Sequence, residues 1–254
     1  MKIVRIRLPG DEIAYGVVEA EGIRVHQGTP FVAWEPTETV VPFDVVQLLA
    51  PVFPTKVVCV GRNYVDHAAE RGESVPDEPV IFLKPATAVI GPGAPIIIPS
   101  EAREVHHEAE LAIVVGTVSR RVAAEDASRH IIGYTAANDV SARDLQKKDG
   151  QWTRAKGFDT FCPLGPAIET EVDPIGLRIT CSVNDELRQD ASTDDMVFGV
   201  AEIFAFVTRV MTLLPGDVIL TGTPAGVGPI RPGDRVEVEI ERIGTLINPV
   251  AAGS

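Results

Sequence analysis

A chain of 254 residues, 45% hydrophobic and 23% charged, holds one large folded domain or a large and a small one, with enough apolar surface for a sizeable core. Its formal charge of −13 argues against nucleic acid or an acidic membrane as the main partner. A small anionic substrate is not excluded, because a metal ion and a few local Arg or Lys side chains reverse the field inside a cleft.

The three cysteines, Cys59, Cys162 and Cys181, form no Cys-x-x-Cys and read as buried free thiols, in keeping with a reducing cytoplasm. No stretch approaches a membrane span and the N-terminal residues carry no cleavage-site pattern, so a cytoplasmic protein is expected.

Residues 2–28 alternate in short runs separated by Pro9-Gly10-Asp11 and Glu21-Gly22, which predicts a small meander. His26 is one polar strand residue, expected at the surface. Pro42–Leu49 reads as a short helix opened by Pro42. Pro51 and Pro54 punctuate the chain, and the domain boundary is placed near residues 50–55.

Lys56–Val60 predicts a buried strand that delivers Gly61-Arg62-Asn63-Tyr64 and then a helix, Val65–Glu70. On it His67 and Glu70, three apart, share a face and can make a base with its orienting carboxylate. Arg71–Pro79 has the Gly, Ser, Pro and acid content of a mobile loop, so the dyad could ride on a lid. A strand over Val80–Leu83 ends at Lys84, and Ile96–Ile98 is another.

Glu104–Gly116 then organises the chain. Its β-branched run predicts a strand buried on both faces, with Glu108, Glu110, Ala112 and Val114 on one side and Ala109, Leu111, Ile113 and Val115 on the other. Two carboxylates then stand about 6–7 Å apart at the mouth of a core strand. Such a pair repels unless it is solvated, protonated or bridged by a cation. Oxygen ligands suit Mg²⁺, Mn²⁺ or Ca²⁺ better than Zn²⁺, although His106 and His107 precede them.

Further on, Ala123–His130 reads as helix. Ile131–Ala137 reads as a strand ending at Asn138-Asp139, where Asp139 is either an active-site carboxylate or the cap of a helix over Val140–Lys148. Arg143 and Gln146 are three apart on that helix and can face one pocket. Lys156 lies between small residues. Leu177–Val183 and Glu186–Gln189 make a hairpin. Val200–Leu214 has helical apolar spacing, with Asp194 or Asp195 available as its cap. The Thr221–Gly228 loop follows a strand but lacks a P-loop lysine; its amides and hydroxyls suit a carboxylate or an oxyanion. Arg235–Glu241 and Gly244–Asn248 close the chain as a hairpin.

Six motifs in this order resemble the fumarylacetoacetate hydrolase family over roughly residues 55–250. They are Gly61-Arg-Asn-Tyr-Val-Asp-His-Ala-Ala-Glu70, Phe82-Leu-Lys84-Pro, His107-Glu-Ala-Glu-Leu111, Asn138-Asp-Val-Ser-Ala-Arg-Asp-Leu-Gln146, Ala155-Lys-Gly-Phe158 and Leu220-Thr-Gly-Thr-Pro-Ala-Gly-Val-Gly228. The resemblance implies an α+β, mainly β fold. A mixed β-sandwich roll of the family's C-terminal type occupies residues 53–250, after a small β-rich N-terminal domain at 1–52, usually in a homodimer. It implies Glu108, Glu110 and Asp139 as ligands of Mg²⁺ (or Mn²⁺ or Ca²⁺). A further aspartate used by longer members has no match here, and water is expected in its place. His67 and Glu70 would activate water, Lys156 would reach the substrate, and Arg143, Gln146 and Thr223 would hold its carboxylate end.

The activity implied is metal-dependent and passes through the enolate of a small 2-oxo acid. Hydrolysis of a C–C bond in a β-diketo acid of the acylpyruvate type leads. Oxaloacetate-type decarboxylation, or isomerisation of 2-hydroxyhepta-2,4-diene-1,7-dioate in aromatic breakdown, is the alternative. A non-catalytic, metal-stabilised binding protein is the reading from another class.

Overall fold

The computed structural model describes residues 1–70, 72 and 74–253. Among them one large sheet dominates, twelve strands in all. From one edge it runs Ala33–Val41, Gly22–Thr29, Ile13–Glu19, Lys2–Arg7, Cys162–Glu169, Ile131–Asn138, Ala109–Val115, Val218–Leu220, Val57–Gly61 and Val80–Lys84. Gln47–Leu49 pairs with Lys2–Arg7, and Val89–Ile90 with Cys162–Glu169. The N-terminal meander therefore continues the sheet through Lys2↔Glu169 and Ile3↔Ile168.

The Ala109–Val115 strand is buried along its whole length. Leu111, Ile113 and Val115 join one apolar cluster with Phe204, Val207 and Leu213; Ala112 and Val114 join another with Val57, Cys59 and Leu164. Each large aliphatic side chain so buried contributes about 1.5–3 kcal/mol. Packing on both faces makes the strand a rigid mount for whatever its N-terminal end carries. The three cysteines are buried and free, and burial pushes Cys162 and Cys181 up to about 12.

A five-stranded sheet (Glu186–Ser192, Arg178–Val183, Arg235–Ile240, Gly244–Ala252, Ile96–Ile98) packs on the first through shared residues such as Ile113, Ile179 and Val238. A third, three-stranded sheet joins Ser141–Ala142, Val105–His107 and Gly228–Pro229. Helix α1 spans Val65–Glu70, α2 Arg143–Asp149, α3 Thr153–Lys156 and α4 Val200–Val210. None of the described helices is long and apolar enough to cross a membrane.

Several local expectations need correction. Pro42–Leu49 is not a helix: a 3₁₀ turn at Phe43–Val45 leads into a strand, because Gln47–Leu49 can pair with Lys2–Arg7. Ala124–Arg129 is 3₁₀ rather than α-helical. The helix expected from Val140 begins only at Arg143, since Ser141–Ala142 first pair with Val105 and His106. Asp194 and Asp195 cap nothing on α4; they sit in a 3₁₀ turn held by Ser192, and Gly199 precedes α4. That helix stops at Val210, four residues short of the apolar pattern's end. The Glu104–Gly116 strand is broken in two: Val105–His107 belongs to the small sheet and Ala109–Val115 to the large one. Glu108 stands at the break.

Candidate metal centre and active site

The break turns Glu108 into the same buried space as Glu110. The Glu108 N–H donates to Asn138 Oδ1 at 2.9 Å, and the Asp139 N–H donates to the Glu108 carbonyl at 2.9 Å. The end of the neighbouring strand is thereby clamped beside the glutamates. Asp139 is thus an inward carboxylate rather than a helix cap, and α2 has no side-chain cap. Oxygens of Glu108, Glu110 and Asp139 lie within 4.8 Å of one another, and all three residues are buried.

Three cations face this cluster. Lys156 Nζ donates to Glu108 Oε2 at 2.8 Å, Asp139 Oδ2 at 2.5 Å and Ser141 Oγ at 2.7 Å. Arg143 Nη2 donates to Glu108 Oε1 at 2.5 Å, while its Nη1 reaches Gln146 Oε1 at 3.0 Å. Lys84 Nζ pairs with Asp139 Oδ1 and donates to the Val140 carbonyl at 3.2 Å. None of the three pairs with Glu110. Among the described residues Glu110 receives only the Gly222 N–H, at 2.6 Å. Gly222 is required there: its φ is +95°, and a Cβ would stand 2.8 Å from that of Asn63.

Burial opposes ionisation of Glu108, but the charges of Lys156 and Arg143 hold its carboxyl well below the usual range. Glu110 goes the other way. Burial, and then the negative charges of Asp139 and Glu108, push it well above the usual range. The charge of Lys156 only partly offsets this, and a carboxylate crowded by two others with no cation bonded to it is the signature of a missing positive charge. The donor set is three hard oxygens, which suits Mg²⁺ or Mn²⁺. The zinc alternative loses its nitrogen ligands, because neither His106 nor His107 joins the cluster of acids or lines the cavity beside it.

The cavity beside the cluster, about 30 Å³, is lined by His67, Arg143, Gln146, Lys156 and Thr223 together with the three acids. His67 on α1 is buried, with Nδ1 3.4 Å from Glu70 Oε2. Glu70 is exposed, outside the cavity wall, and accepts the Gly226 N–H at 3.3 Å. The structure thus brings all nine candidate residues to one region, Glu70 standing behind His67. Of the loop expected to carry a lid, Arg71 and Glu73 lie outside the described residues.

Sequence reasoning passed over four residues here. Lys84 is visible in the sequence as the end of a strand and within a motif, but neither gives it a role, though it is 1% exposed beside Asp139. Arg62, Phe82 and Trp152 line the cavity too. The Trp152 ring meets Phe82 edge-on at 5.1 Å and lies so close to Gly61 that a Cβ there would be 2.6 Å away. Arg62 and Phe82 lie within the family motifs without a role, and Trp152, just before α3, has no local pattern to single it out.

Comparison with known proteins decides the family. The model of the fumarylacetoacetate hydrolase C-terminal domain matches residues 56–251. The chain belongs to the fumarylacetoacetate hydrolase family. Residues 1–51 match a second model, the Rv2993c-like N-terminal region. Protein Rv2993c of Mycobacterium tuberculosis is 56% identical over 212 residues, 82% of this chain and 80% of that one. The human mitochondrial oxaloacetate tautomerase FAHD2B is 48% identical over 224 residues, 83% of this chain and 71% of its own. Among solved structures, a 5-carboxymethyl-2-hydroxymuconate delta-isomerase from Mycobacterium smegmatis superposes with a TM-score of 0.93 at 48% identity, all of both chains covered. Maleylpyruvate hydrolase from Sphingobium sp. SYK-6, solved with manganese(II) and pyruvate, gives 0.81 at 33% identity, again over all of both chains. The chain is therefore an enzyme of this family, mainly β in fold, with an acidic triad fit for a divalent metal.

Proposed function

We propose that this protein is a divalent-metal-dependent enzyme that makes the enolate of a compact 2-oxo diacid, with oxaloacetate as the type substrate and keto–enol interconversion as the reaction. One observation carries the reading: Lys84, Lys156 and Arg143 match Glu108, Glu110 and Asp139 in number, yet none of them bonds to Glu110. A bound divalent cation would give these six groups a surplus of two positive charges, and Arg62 lines the same cavity, a field suited to a dianion. The 48% identity to an oxaloacetate tautomerase supports a four-carbon acid, and Trp152 and Phe82 stand on the cavity wall.

When bound, Mg²⁺ or Mn²⁺ supplies Lewis-acid stabilisation of charge on the substrate's 2-oxo oxygen. The chain does the rest. Arg143, Gln146 and Thr223 bind the carboxylate end and fix its orientation. His67, oriented by Glu70, takes the C3 proton; the C3–H bond breaks as the C2–C3 double bond forms. Lys156 Nζ faces the developing oxyanion, and a proton returned to that oxygen completes the enol. Burial of the cluster excludes water and strengthens each of these contacts.

Hydrolysis of an acylpyruvate is kept as a second reading for one reason: the His67–Glu70 pair can equally take a proton from an attacking water. A small-dianion substrate, a cytoplasmic location and a homodimer belong to the same proposal. The test is a side-by-side assay with Mn²⁺ on enol oxaloacetate and acetylpyruvate, with EDTA controls. Loss of enol absorbance without pyruvate release supports the tautomerase. Cleavage of acetylpyruvate instead selects the hydrolase, and pyruvate from oxaloacetate selects the decarboxylase.

A further inference from the structure

Gln189 is 1% exposed and sits on the Glu186–Ser192 strand of the five-stranded sheet, away from the cavity wall. Its side chain nevertheless joins the strand of the metal triad to the loop that carries Thr223. Oε1 accepts the Ala109 N–H at 3.0 Å, and Nε2 donates to the Pro224 carbonyl at 2.9 Å. A backbone N–H can only donate and a carbonyl oxygen can only accept. These two contacts therefore fix which end of the amide is oxygen and which is nitrogen, a choice otherwise open.

Two consequences follow from that orientation. His107 Nδ1, 3.0 Å from Oε1, must carry the ring proton and leave Nε2 bare. On the other side Nε2 donates to Thr223 Oγ1 at 2.8 Å. The Thr223 oxygen accepts there, so its own proton must point elsewhere. Thr223 Oγ donates to no described residue, and Thr223 lines the cavity.

We propose that Gln189 is a positioning residue that sets the polarity of Thr223, so that the hydroxyl donates into the cavity, onto an anionic oxygen of the ligand. The amide orientation stands on the contacts above; the identity of the ligand rests on the 2-oxo acid reading. A hydroxyl held as a donor also selects its ligand, because it suits a carboxylate or enolate oxygen and disfavours a group that itself must donate.

Two experiments on the intact protein test this. The first needs no ligand: ¹⁵N spectra of histidine-labelled wild type should show His107 protonated at Nδ1 and bare at Nε2. The opposite tautomer overturns the proposal. The second is calorimetric titration of oxalate, a planar dianion resembling the carboxylate–enolate end, into Mn²⁺-loaded protein. Thr223→Val should weaken oxalate about tenfold and Gln189→Leu about fivefold, with Mn²⁺ binding measured alone unchanged. Thr223→Ser should stay within about threefold of wild type. In the Thr223→Val background, Gln189→Leu should add less than twofold. Independent, multiplying losses overturn the positioning role, as does a fivefold loss of Mn²⁺ affinity. If Gln189→Leu does not fold, Gln189→Met takes its place in the cycle. Failure of the wild type to bind oxalate overturns the 2-oxo acid reading and the ligand part of the proposal, and the tautomer alone then decides the orientation of Gln189.

Discussion

Two buried acid sites in this molecule behave in opposite ways. Asp217 is fully buried and fully answered. Its carboxylate accepts from the Thr55 N–H at 3.0 Å, Thr55 Oγ1 at 2.6 Å, the Lys56 N–H at 3.2 Å and the Leu214 N–H at 2.8 Å, and it pairs with Lys56 Nζ. It closes the turn before the Val218–Leu220 strand, and nothing is left over for chemistry. Glu108, Glu110 and Asp139 are as deeply buried, but Glu110 keeps one donor and two like-charged neighbours. The contrast teaches that burial of a carboxylate does not mark a functional site. What marks it is burial without enough partners, since the cost of desolvation is then borne for something not yet in place.

The comparison can be broken from either side. The largest effect is expected at the open site: Glu110→Gln should lower kcat/KM at least about a thousandfold, ~4 kcal/mol of transition-state stabilisation. The metal-free protein should melt no lower than wild type, because a crowded charge has gone. At the closed site the signs reverse. Asp217→Asn should cost about 3 kcal/mol of stability, since it strands Lys56 and mismatches several donors, while activity per folded molecule persists. Chemical denaturation read beside activity separates the two outcomes. A destabilised Glu110→Gln or an inactive but stable Asp217→Asn would remove the distinction.

Next in size, His67→Asn should lower kcat about a hundredfold or more with little change in oxalate affinity, as loss of a general base requires. Metal should then sharpen the contrast: Mn²⁺ at a hundred times its Kd stabilises the wild type by about 2.7 kcal/mol. That is a rise in Tm of roughly 5–10 °C at this size. Glu110→Gln should lose most of the rise and Asp217→Asn should keep it.

The smallest effect is in the acid limb. The Asp217 carboxyl is opposed by burial but held below its ordinary value by bonds from Lys56, Thr55 and the Leu214 N–H. A group depressed in the folded state contributes stability above its unfolded pKa, about 3.9, and loses it as pH falls through the lower folded value. Stability against pH below about 4 should therefore fall less steeply in Asp217→Asn than in the wild type.

Much of this was legible in the sequence where one short stretch carries its own reason. The alternation through Ala109–Val115 fixes both faces of the strand, and Glu108, expected on the face of Glu110, reaches it from the break just before the strand. The spacing of His67 and Glu70 puts both on one side of α1. What stayed hidden depends on long-range pairing. Cys162–Glu169, a central strand, reads as no element in the sequence, because Pro163, Gly165 and Pro166 interrupt any local strand pattern and its neighbours at Ile131–Asn138 and Lys2–Arg7 are distant in the chain. Gln47–Leu49 is a strand only because Lys2–Arg7 lies beside it. Gln189 meets Ala109, His107 and Thr223 from positions far apart in the chain, so no local pattern announces it. Lys84 was within a quoted motif, yet its partner Asp139 is 55 positions away.

The central claim is that the three carboxylates hold a divalent cation. It is tested most directly by growing crystals with Mn²⁺ and collecting anomalous diffraction at the manganese edge. A single strong peak within bonding distance of Glu108, Glu110 and Asp139, with Lys156 Nζ displaced from at least one of them, is the result expected. A peak elsewhere, or a triad still closed over by Lys156 at saturating Mn²⁺, would contradict it.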